Sequence, residues 1–200
     1  MQKSKPILNQ SRTIFFYPII HEKVDMGSLG DVLYKDVENL KKTRIDDVWT
    51  SIEESVNHLN LDYKDVRLYQ DGLPICGKGM EIVQDLCKAG SRNHQLLLRL
   101  IQKGAHLIET ESAELLMKEY AIFQSLFSIG RLERNQSNNQ EKILASLLEQ
   151  RDHFIANRIN TTLKSGETGL LFLGALHSLQ GLLDADIKMI TKESKLKHMK

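Results

Sequence analysis

Two apolar runs in this chain each lead into a histidine. Thr13 to Ile20 runs into His21, and Gly169 to Leu173 continues through Gly174-Ala175-Leu176 into His177. Both runs have the length and composition of β-strands, and helical patterns fill the chain between them, so they are expected to lie parallel in one sheet. An open α/β sheet binds its ligands outside the carboxyl ends of its strands, and two parallel strands ending this way aim both imidazoles into one crevice. The plainer alternative is a pair of strand-end histidines bonded to backbone.

Two hundred residues, 41% hydrophobic and 26% charged, suffice for one substantial core and are few for two, so a single domain is expected. Lys plus Arg number 27 against 26 Asp plus Glu, and a net charge of +1 supplies no global field for nucleic acid or an acidic membrane. Met1 to Arg12 is polar, and the apolar run after it is too short to span a bilayer. A cytoplasmic protein without a nucleic-acid or membrane partner is the expectation. Cys76 and Cys87 lack CxxC spacing and read as two reduced thiols, not as a zinc site or a redox pair.

Along the chain, Ser28 is placed to cap a helix carrying Leu29, Val32, Leu33, Val37 and Leu40, and a second helix follows with Ile45, Val48, Trp49, Ile52 and Val56. Val66 to Gln70 reads as a strand ending at Asp71-Gly72, followed by a helix over Lys78 to Lys88. Ser91-Arg92-Asn93-His94 opens another helix, Ala105 to Ile108 reads as a strand, and Ser112 caps the helix containing Leu115, Leu116, Tyr120, Phe123 and Phe127. Residues 130–140, rich in Asn, Gln, Ser and Arg, read as an exposed loop, and Glu141 to Lys164 as a long helix. Asp186 to Ile190 suggests a short edge strand, with residues 1–12 and 192–200 as flexible tails. Strands separated by helices predict a three-layer α/β domain with a mostly parallel central sheet flanked by helices.

Several residues carry chemistry in this scheme. Arg151 and Arg158 project from the apolar face of the long helix, among Ile143, Leu147, Phe154, Ile155 and Ile159. Either arginine could pair with a core carboxylate or reach the crevice. The expectation is that Arg151 holds an anionic group there while Arg158 sits in a structural ion pair. Asp71 could serve the site or merely the turn before Gly72. Glu111 follows a strand as a ligand candidate or a helix-start charge, and Arg92 and His94 begin a helix whose free amides attract anions. Gly72-Leu73-Pro74-Ile75-Cys76-Gly77-Lys78-Gly79 lies between strand and helix as a phosphate-binding loop does. Gly79 replaces the magnesium-binding hydroxyl and Pro74 removes an amide, so nucleotide hydrolysis is not expected.

Arg151-Asp152, then Ile155-Ala156 and Ile159, then Leu170-Leu171-Phe172-Leu173-Gly174-Ala175-Leu176-His177, resembles the C-terminal signature of the TraB, Tiki, ChaN and erythromycin esterase-like superfamily. There an Arg-Asn or Arg-Asp pair on a helix precedes a strand ending in Gly-x-x-His, and a matching histidine follows the first strand. About 40 C-terminal residues carry the likeness. Pro18 stands where the family usually has glycine, and Asp71 where it has glutamate. The resemblance implies a small hydrolase of esterase or peptidase type. It implies His21 and His177 as general base or metal ligands, Asp71 as orienter or third ligand, and Arg151 as anion or oxyanion stabiliser. A divalent metal such as zinc, manganese or cobalt is one expectation. The other class is a non-catalytic protein holding haem, a small molecule or a peptide in the same crevice.

Overall fold

A computed structural model describes residues 11–29, 39–128 and 134–192. Five strands form one all-parallel sheet in the order β3-β2-β4-β1-β5: β1 (Arg12–Ile19), β2 (Val66–Gln70), β3 (His106–Ile108), β4 (Thr168–Gly174) and β5 (Ile187–Thr191). The helices are α1 (Asn39–Asn57), α2 (Gly79–Lys88), α3 (Arg92–Gln102), α4 (Ala113–Ser128) and α5 (Arg134–Thr162). The mostly parallel α/β architecture expected from the alternation is present.

β4 lies at the centre because its Gly-Leu-Leu-Phe-Leu run is apolar on both faces, as a strand covered on two sides must be. Leu170 and Phe172 join Val48, Trp49, Ile52 and Val56 of α1 and Leu96, Leu97 and Leu100 of α3 on one face. Leu171 and Leu173 join Ile155 and Ile159 of α5, and Leu163 just beyond it, on the other. Three layers result.

Pro18 is accommodated at a strand end. In a parallel ladder a residue's N–H and C=O share a side, and Phe16 O accepts from Lys192, so Pro18 also faces β5. β5 has ended there, its last partner on β1 being Phe16, so the missing donor costs no ladder bond.

Three element boundaries differ from expectation. Ser28 lies inside a 3-10 turn (Lys23–Leu29) that Asp25 closes by accepting from the Glu22 amide, and 30–38 of the helix expected there fall outside the described residues. Arg12 belongs to β1 and not to a tail: its buried guanidinium bonds Asp184, Asp186 and the carbonyls of Asn160 and Leu163, tying the amino end of the sheet to α5. Residues 134–140 are helical, so α5 begins within the segment expected to be a loop. A polar run suits a solvated helix as well as a loop when nothing in it breaks the helix. The rest of both expected tails, 1–10 and 193–200, lies outside the described residues. No helix among the described residues is long and apolar enough to cross a membrane.

Candidate active site

The carboxyl ends of four neighbouring strands each contribute one ionisable residue to a single cluster. In sheet order these are Glu111 after β3, Asp71 after β2, His177 after β4 and His21 after β1. β4, inserted between β1 and β2 although last of the three in sequence, completes the crevice where connections leave the sheet in opposite directions.

Asp71 is the hub. Its Oδ2 accepts from the Gly174 amide at 2.7 Å, lies 3.1 Å from Nε2 of His21 and stands 3.5 Å from Nε2 of His177. Its Oδ1 accepts from Nη2 of Arg151 at 2.7 Å. Such proximity depends on Gly174: a Cβ there would stand 3.0 Å from Oδ2 and within van der Waals contact of both imidazoles. Gly72, with φ of 71°, turns the chain directly after Asp71 in a conformation that glycine adopts without steric cost. Asp71 is thus both turn residue and site residue.

Arg151 enters from α5 on the opposite side. Nε and Nη2 reach the two oxygens of Glu111 at 3.3 and 2.6 Å, Nη1 reaches both oxygens of Glu119 at 3.0 and 2.8 Å, and Nη2 also serves Asp71. All five N–H groups of the fork are therefore spoken for by carboxylates, and none is left for an external anion. Arg151 points into the crevice as expected, but the expected anion or oxyanion role is not open to it in this geometry.

One residue further on, Asp152 accepts from Nδ1 of His177 at 2.6 Å and from the Ser178 amide at 3.0 Å. His177 consequently has a carboxylate at each ring nitrogen and a side chain only 4% exposed, whereas the His21 side chain is 27% exposed. His21 is the more exposed of the two imidazoles.

The charges set the titration directions. Burial lowers both imidazoles, but the hydrogen bond and charge of Asp71 outweigh it and hold both above the ordinary 6.5. Burial pushes Asp71 upward, and the two imidazoles overcome it, leaving the carboxyl well below its ordinary value. Glu111 goes the other way: its burial outweighs Arg151, with Asp71 adding repulsion, and its carboxyl is raised.

The remaining candidates lie elsewhere. The Arg92 guanidinium folds back on α1, bonding the Asp46 carbonyl and pairing with Glu53, and its own amide is taken by Glu22. His94 is buried, its Nδ1 2.8 Å from Oγ of Ser91 and 3.3 Å from Asp25. The start of α3 is thus occupied by the protein's own carboxylates and not held open for a ligand. Among the described residues Arg158 has no ion-pair partner; its Nε donates to the Glu109 carbonyl at 3.1 Å. The Gly72–Gly79 loop also carries an internal anion: the Glu109 carboxylate accepts from the amides of Cys76, Gly77 and Gly79. That occupant accounts for the likeness to a phosphate loop.

Glu119 and Gly174 were not singled out as site residues by sequence reasoning. Glu119 had a signal, standing among Leu115, Leu116, Ile122 and Phe123 at helical spacing, an acid on an apolar face matching the arginine on that of α5. No protein-family model, curated protein or solved structure matches this chain.

Proposed function

We propose that this chain hydrolyses an ester or amide bond with His21 as general base. The observation that carries the reading is the convergence of two imidazoles on one Asp71 oxygen at the carboxyl ends of three adjacent strands. The Asp71 carboxylate beside Nε2 of His21 favours the protonated ring and so supports this imidazole as a proton acceptor. The ring then takes a proton from the attacking water, Asp71 stabilises the imidazolium, and the same proton passes to the leaving oxygen or nitrogen as its bond to carbon breaks. His177, Glu111 and Arg151 are positioning residues that hold the Asp71 carboxylate in place. The superfamily resemblance implies a hydrolase as well.

A metal-dependent variant rests on a separate observation. Asp71, Glu111 and His177 are buried and offer ligand atoms within 4.8 Å of one another, with Glu111 in place of the His21 expected from sequence. Two carboxylates and an imidazole suit zinc or manganese, and Asp152 on Nδ1 would orient His177 as a ligand if a metal were bound. The charge arrangement does not suit it: Nη2 of Arg151 lies 2.7 Å from Asp71 and 2.6 Å from Glu111, so a dication would share both carboxylates with a guanidinium. Haem fits less well, because imidazoles sharing one carboxylate oxygen leave no gap for a macrocycle between them.

Assays with nitrophenyl esters and a fluorogenic peptide test the reading. His21→Ala is expected to lower kcat/KM by about a hundredfold or more, with the rate insensitive to chelator. A rate lost to chelator and restored by zinc or manganese assigns the chemistry to Asp71, Glu111 and His177. Undiminished turnover in His21→Ala removes His21 from the reaction, and no turnover by the wild type favours the binding-protein alternative.

A further inference from the structure

Four carboxylates surround the crevice: Asp71, Glu111, Glu119 and Asp152. Among the described residues their permanent countercharge is the Arg151 guanidinium, and its five N–H groups are all bonded within the protein. With these acids ionised, the cluster stays negative even when both imidazoles carry a proton. An anionic substrate would meet that charge with no arginine donor to receive it. Three of the acids are sealed, with side-chain exposures of 0% for Glu111, 5% for Asp71 and 9% for Asp152. Glu119 is the exception at 22%, and each of its oxygens, bonded once to Nη1, keeps a lone pair for another donor. On the strand side Leu176, the residue before His177, is 82% exposed, an apolar side chain presented to solvent.

We propose that the crevice takes a substrate bearing a cationic amine that is drawn to Glu119, with an apolar portion against Leu176, and rejects carboxylate- and phosphate-bearing molecules. The assignment rests on the hydrolase reading for the word substrate, and on geometry alone for the preferred charge. Its test uses three nitrophenyl esters of matched acyl size ending in trimethylammonium, tert-butyl or carboxylate. At low salt kcat/KM is expected to fall in that order, by about three- to tenfold per step, and the spread to narrow with added salt. Glu119→Gln keeps an acceptor for Nη1 and removes the charge, so the ratio of the first two rates is expected to shrink toward one. That ratio does not depend on the fraction of the variant that folds. Equal rates for all three esters, or a faster carboxylate ester, would overturn the proposal. If none is turned over, the hydrolase reading fails separately, and binding of the primary amides of the same three acyl groups, followed by the His21 ring signals in NMR, decides the charge preference. Tighter binding of the ammonium compound sustains that preference, whereas equal or tighter binding of the carboxylate compound overturns it.

Discussion

Arg151 and Arg158, two turns apart on one helix, have opposite energetic roles. Removing the Arg151 guanidinium leaves Asp71, Glu111 and Glu119 facing one another with two of the three buried, and breaking a buried pair in this way costs about 3–5 kcal/mol. Arg158→Ala forfeits one hydrogen bond to a backbone carbonyl, about 0.5–1.5 kcal/mol. Thermal melts of Arg151→Ala and Arg158→Ala are therefore expected to differ severalfold in lost stability, and equal losses would contradict the network. The helical wheel placed both arginines on the apolar face but could not say which acids they meet, since Glu111 and Glu119 come from segments 32 or more residues away. Asp71 links the same network to pH. The raised imidazoles of His21 and His177 add stability that is complete below 6.5 and lost as pH climbs through their folded values. The lowered Asp71 adds stability present above 3.8 and lost as pH falls through its folded value. Glu111, with its carboxyl raised, works against the network as pH climbs past 4.5. Urea denaturation is expected to show the His–Asp contribution at about pH 5.5 and its decline by about pH 8.5. Asp71→Asn should flatten that difference, and identical profiles for wild type and variant would contradict it.

At the scale of elements, the end of β4 carries the tightest geometric demand. Gly174→Ala would bring a methyl to 3.0 Å from Asp71 Oδ2, displacing the carboxylate from the two imidazoles while leaving the apolar body of the strand untouched. A loss of turnover of about tenfold or more with a melting temperature lowered by only a few degrees is the expected outcome, since misplacement of a catalytic group is felt more strongly than a small core adjustment. Full activity would show that the approach at Gly174 is not needed. The strands and the helices lining the core were legible in the sequence because burial imposes its period: Val48, Trp49, Ile52 and Val56 repeat at helical spacing, and the five apolar positions of β4 span both faces. The start of α5 was not, because a solvated helix surface and a loop draw on the same polar residues. The Gly72–Gly79 loop was legible as an amide cradle, but its occupant was not, since Glu109 arrives from beyond a different strand.

Across the whole molecule, parallel pairing does what no local pattern can, bringing residues 21, 71, 111 and 177 to one edge of one sheet. The two histidines were visible as strand-end residues, and Asp71 as a turn residue with a second reading. Their sharing of a single oxygen follows from β4 lying between β1 and β2, an order that strand composition only partly implies. Everything proposed about catalysis depends on that convergence, and an NMR titration of the His21 and His177 rings measures it directly. In the wild type both are expected to titrate above 6.5, and in Asp71→Asn both are expected to move down, because burial is then opposed only by the weaker pull of Asp152 on His177 and of Asp25 on His21. Rings that keep their wild-type values in the variant, or a shift confined to one of them, would contradict a shared Asp71.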